Sequence, residues 1–200
     1  MKAKAAGSSV QLSPRPRLTA IGTHPADVVR ATGGWLFDQA MAGWDVAVLT
    51  VEPGDPRAVQ ILGARAYDLH AVLASPVTLG PCLQAMVVPA DLYDRDERVR
   101  QIAANALAAG HAEVRLWGGA GRTMAGRGTA AVRHQLSIAA RAFKAQALAA
   151  ADIHGEASGS VEVFRSLSFP HATHAAAPVP AGPVDEGGYN EPPAVIESLG

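Results

Sequence analysis

The sequence predicts an α/β protein with a Rossmann-like, three-layer, doubly wound and mainly parallel sheet, and three observations carry that prediction. Short apolar runs alternate with stretches of helical spacing along most of the chain. Two of those runs, DVAVLTV at 45–51 and QAMVV at 84–88, are almost continuously apolar, as strands covered on both faces must be. Glycine or proline closes most of the segments, at Gly22, Gly43, Pro89 and Gly110.

Taken in order, residues 1–16 combine Lys, Ala, Gly, Ser and Pro without periodicity and read as a disordered N-terminal tail. The first strand starts at Arg17 or Leu18 and ends near Gly22. From Ala26 to Gly43 the apolar positions Val28, Val29, Trp35, Leu36, Ala40 and Met41 recur at helical spacing, interrupted by Gly33-Gly34. After the strand at 45–51, Arg57 to about Leu73 reads as one or two helices broken at Gly63. The strand at 84–88 is closed by Pro89, a helix runs from Asp94 to Ala109, and Glu113–Trp117 forms a further strand. A glycine-rich loop at 118–128 leads into an Ala-rich helix from about Thr129 to Ala151. Val161–Leu167 is a last strand or helix turn. One domain over 17–167 follows, with a low-complexity C-terminal tail over 168–200.

Composition narrows the function classes. With 17 Lys+Arg against 18 Asp+Glu and no block of like charge, electrostatic binding of nucleic acid is not indicated. No apolar stretch approaches the ~18–20 residues of a membrane span, and the N-terminus lacks the apolar core of a secretory signal. The single cysteine, Cys82, excludes an intramolecular disulfide and suits a reducing compartment. The expectation is a cytoplasmic protein.

The chemistry-bearing segment is Thr23-His24-Pro25-Ala26-Asp27, which sets an imidazole and a carboxylate just past the first strand. In open α/β sheets the crevice beyond the strand carboxyl ends is where ligands sit, and a neutral His with an Asp is an ordinary zinc-binding pair. The plain alternative makes His24 a strand-end residue bonded to the backbone, and Asp27 an acid that complements a helix dipole. His171 and His174 have the three-residue spacing of a metal pair but sit in the C-terminal tail, where a solvated segment is the simpler reading. His111 follows a helix stop and suits its dipole, and His70 and His154 lie on or near helices. The glycines at 118–128, with Arg122 and Arg127, form either an anion cradle or a flexible connection. Trp35, Trp44 and Trp117 read as packing residues.

Several pieces then line up. They are His24-Pro25-Ala26-Asp27-Val28, Gly33-Gly34, Gly43, Val46–Thr50, Arg65 with Asp68, Val87-Val88-Pro89-Ala90-Asp91, and the helix at 139–146. In this order and spacing, the region from about Arg17 to Arg165 resembles the PIG-L (LmbE-like) family, zinc-dependent deacetylases of N-acetylglucosaminyl compounds. The resemblance implies a zinc held by two His and one Asp, which lowers the pKa of a bound water to about 7, and a neighbouring carboxylate that takes its proton. His24 and Asp27 match the first two metal ligands, and Arg65 and Asp91 match substrate-binding positions. The base position is Ala26, the loop at 118–128 has no histidine to serve as third ligand, and Phe143 replaces a histidine usual on the late helix. His134 is the remaining candidate for a third ligand. What is implied is a divergent member with weak or absent Zn²⁺, no assignable catalytic residue and impaired N-deacetylation of amino-sugar-like molecules. The alternative is a non-enzymatic small-ligand-binding or scaffold domain.

Overall fold

The computed structural model describes residues 15–74, 82–110, 112–119, 130–155 and 159–167. Its strands are β1 (Arg17–Gly22), β2 (Asp45–Thr50), β3 (Arg65–Asp68), β4 (Leu83–Pro89), β5 (Glu113–Trp117), β6 (Ala131–Gln135) and β7 (Val161–Leu167). The helices are α1 (Pro25–Met41), α2 (Arg57–Ile61), α3 (Leu69–Ala74), α4 (Ala90–Arg95), α5 (Glu97–Ala108) and α6 (Ile138–Ala150). The strands form one sheet in the order β3-β2-β1-β4-β5-β7-β6. The five strands from β3 to β5 are parallel, whereas β7 runs antiparallel to both β5 and β6.

Alternation along the central strands builds two cores, because successive side chains leave a strand on opposite faces. Leu18, Ala20, Val46, Val48, Ala85 and Val87 face α1, α2 and α6. Ile21, Ala47, Leu49, Met86 and Val88 face α3, α4 and α5. Helices on both faces of a mainly parallel sheet make the three-layer α/β architecture that the sequence predicts.

Three elements depart from the sequence reading. Residues 65–68 are a strand, not helix: α2 ends at Ile61, followed by the cap Leu62 and a left-handed Gly63 (φ +74°), after which Arg65 pairs with Ala47 and Asp68 with Thr50. The helix expected from Thr129 is preceded by strand β6, which pairs with β7 and alternates in exposure as an edge strand does. Ser137 then caps α6, its hydroxyl accepting the Ala140 N–H at 2.9 Å. Finally, the helix expected at 94–109 is two, divided at the extended residue Asp96, whose carboxylate caps α5 through the Arg98 N–H at 2.9 Å.

Gly33-Gly34 does not interrupt α1; it marks where other elements come closest. A Cβ on Gly34 would lie 2.5 Å from both δ-carbons of Leu136, and one on Gly33 would lie 3.2 Å from Leu62. At the same place the buried Glu162 of β7 accepts the N–H groups of Gly34 and Trp35, each at 2.9 Å, and the buried Lys144 ammonium of α6 at 2.7 Å. This carboxylate therefore joins β7, α1 and α6. Among the described residues, no helix is long and apolar enough to cross a membrane.

Candidate functional site

The turn between β1 and α1 lies at the carboxyl ends of β1 and β4, where an open α/β sheet receives its ligands. His24 is extended (φ −129°, ψ 148°) and caps α1: its Nδ1 accepts the Ala26 N–H at 3.3 Å, while its carbonyl accepts the Asp27 N–H at 3.1 Å. Pro25 follows at the first helical position, where its fixed φ and missing N–H are no handicap. Gly22 is required behind this turn, since a Cβ there would meet Val28 at 2.3 Å and Trp117, at the end of β5, at 3.8 Å.

Two further elements close around the imidazole. The residues after β2 extend its pairing with β1, through Val51 N–H to Gly22 O (3.1 Å) and Glu52 N–H to Thr23 O (2.9 Å). Beyond them Gly54 comes so close that a Cβ would lie 2.9 Å from Pro25 and 3.3 Å from His24 Cε1. From the other side, Arg95 of α4 donates to the Thr23 hydroxyl at 2.9 Å and pairs with Asp91 at 3.5 Å. Asp91 thus stands at the same mouth as His24. Arg95 was not singled out by the sequence reading; its signal was the i,i+4 spacing from Asp91 on a helix.

Asp27 sits in the first turn of α1 with its carboxylate paired to Arg30 at 3.0 Å, both half-exposed. The described part of this mouth therefore offers one imidazole with a capped Nδ1, two carboxylates each paired with an arginine, and a threonine hydroxyl.

The deacetylase of the teicoplanin biosynthetic pathway, as a triple mutant, superposes with a TM-score of 0.52 and 16% identity over 78% of this chain and 100% of that one. The deacetylase of the A40926 pseudoaglycone gives 0.52 and 15% over 78% of this chain and 99% of that one. The chain has the fold of these deacetylases. The 4-carboxy-2-hydroxymuconate hydratase of Pseudomonas putida also matches, with a TM-score of 0.51 and 14% identity over 81% of this chain and 100% of that one. No protein-family model matches the sequence, and neither does any curated protein. A fold shared by deacetylases and a hydratase does not by itself choose the reaction.

Within this deacetylase fold the remaining candidates fall elsewhere. His134 of β6 is not positioned as a third ligand: its Nε2 lies 2.9 Å from Asp38 near the far end of α1. At about 1.5 Å per helical residue, Asp38 is roughly 20 Å from His24, whereas zinc ligands all lie about 2 Å from the metal. Burial raises the Asp38 pKa, but hydrogen bonds from Ser137 and His134 outweigh it, and the carboxyl titrates below its ordinary range. Arg65 opens β3 at the amino end of the sheet, where it pairs with Asp45, whereas Asp91 follows the carboxyl end of β4. Burial likewise raises Asp45, and Arg65 and Arg17 overcome it, leaving the net shift downward. Of the Arg65 and Asp68 pair, only Asp68 is at the carboxyl end, where it accepts the Ala71 N–H at 2.9 Å.

Among the described residues no three His, Cys, Asp or Glu side chains come together, and positions 120–129, which lie outside them, contain none of these residue types. His111, His171 and His174, and most of the glycine-rich loop with Arg122 and Arg127, also lie outside the described residues.

Proposed function

We propose that this chain is a divergent relative of the PIG-L deacetylases that binds a small, amino-sugar-like molecule at the mouth formed by His24, Asp27 and Asp91, and that it hydrolyses amides poorly or not at all. The observation that supports this reading is the occupant of position 26. A methyl group stands where the family's chemistry needs a proton acceptor, and the main-chain N–H of Ala26 is given to His24 Nδ1 at 3.3 Å. With the His24 Nδ1 engaged as a cap and Asp27 paired with Arg30, any Zn²⁺ is held weakly through these two residues, and no hydrolytic step is assigned to it. Asp91 and the Thr23 hydroxyl supply acceptors for the hydroxyl groups of a sugar. A lone thiol, Cys82, is consistent with a cytoplasmic setting.

The test is a deacetylation assay on N-acetylglucosamine conjugates, with metal content measured by inductively coupled plasma methods. Turnover at background, with saturable binding of N-acetylglucosamine that Asp91→Asn weakens, is expected. Chelator-sensitive turnover by the purified protein would overturn the reading.

A further inference from the structure

We infer that the opposite, amino-terminal edge of the sheet carries a second site, for a small molecule that joins a phosphate group to a flat ring. A cleft of about 550 Å³ lies there, lined by Arg15, Arg17, Trp44, Asp45, Arg65 and Cys82 among others. That volume lies within the roughly 300–1,000 Å³ of ordinary ligand pockets.

The arginines are arranged by the sheet itself. Asp45 opens β2, the strand between β1 and β3, and its carboxylate receives Arg17 from one neighbour at 3.2 Å and Arg65 from the other. One anion thus holds two guanidiniums side by side over the strand ends, and Arg15 adds a third to the same cleft. The carboxyl ends of α1 and α2 also point to this edge, but each contributes only about half a negative charge that fades within a turn. Among the described residues Arg15 pairs with no carboxylate, so its charge remains after Asp45 has taken Arg17 and Arg65. The arrangement calls for a further anion, and guanidinium forks match the oxygens of phosphate in paired hydrogen bonds. Trp44 borders the cleft half-buried, which gives a flat ring a surface for stacking.

Isothermal calorimetry of the full chain with phenyl phosphate and with inorganic phosphate tests this, in about 0.15 M salt so that charges beyond about 8 Å are screened. Saturable binding is expected, tighter for phenyl phosphate. Arg15→Gln and Arg65→Gln should each weaken both ligands about tenfold, the effect of one charge-assisted hydrogen bond. Trp44→Leu should weaken phenyl phosphate alone. Arg15→Gln is decisive if Arg65→Gln unsettles the fold through Asp45, because Arg15 makes no hydrogen bond or ion pair among the described residues. No binding at this salt, or affinity unchanged by Arg15→Gln, would sink the site. Equal weakening of both ligands by Trp44→Leu would remove the ring from the ligand's description.

Discussion

The carboxylate of Glu162 accepts the main-chain N–H of Gly34 at 2.9 Å although 128 positions separate them in sequence. With Trp35 N–H and Lys144 Nζ also bound, this buried anion has its oxygens satisfied from three directions. Removing the cation alone leaves a buried charge without its counter-ion, which costs more than the pair contributed. Lys144→Met should therefore destabilise the protein by about 3–5 kcal/mol. Urea unfolding measures it. A loss below about 1 kcal/mol would mean that the surface in solution reaches Glu162.

The close approach at Gly34 gives a second expectation. An added methyl meets both δ-carbons of Leu136 at 2.5 Å and its γ-carbon at 3.0 Å, and Leu136 is itself buried, so little room exists for it to turn away. Overpacking of this kind costs about 1–3 kcal/mol, partly offset by the gain of about 1 kcal/mol when Ala replaces Gly in a helix. Gly34→Ala should then be destabilising by about 1 kcal/mol on balance, and Gly34→Ala with Leu136→Ala should cost less than the two singles together by about 0.5 kcal/mol or more. Strict additivity in the double variant would place the strain elsewhere.

Acid stability follows from Asp38. Its folded pKa is depressed because hydrogen bonds from Ser137 and His134 outweigh the effect of burial. A depressed carboxylate adds stability that is fully present above its unfolded pKa, about 3.9, and that vanishes as pH falls through the folded value. Asp38→Asn keeps an acceptor for the Ser137 N–H but loses the charge. The urea midpoint of the variant should lie below wild type at neutral pH, and the two should converge as pH drops below that unfolded value. A gap that persists into strong acid would show that packing, not charge, links α1 to β6.

These contacts mark how far the sequence could be read. β1, β2 and β4 are legible because both faces of each are covered, which demands mostly apolar runs such as Val46–Leu49, and β5 because Val114 and Leu116 alternate with polar residues. β3 and β6 are not, because RAYD and AVRHQ are short, polar and lie at the two sheet edges, where only one neighbour asks anything of them. At the site, His24 and Asp27 stand out because their motif is contiguous with a strand end. Arg95 does not, because its partner Thr23 lies 72 positions away. Likewise, Gly33-Gly34 looks like a defect in a helix until the side chains of Leu62, Leu136 and Glu162 arrive from distant segments.

Zinc binding separates a weak site from a working one. When a ligand is present at about its dissociation constant it stabilises by RT ln 2, about 0.4 kcal/mol, which moves the melting point of a domain this size by about 1 °C. A tight metal centre at a thousandfold excess over its dissociation constant would give about 4 kcal/mol and a shift of roughly 10 °C. With the His24 Nδ1 held by the Ala26 N–H and Asp27 paired with Arg30, the smaller effect is expected, and His24→Ala should abolish it. Because His24 also caps α1, His24→Asn is the better comparison: it retains a capping acceptor and should keep wild-type stability without zinc while losing the zinc response. A shift near the larger figure in micromolar zinc, retained in His24→Asn, would move the metal to other residues.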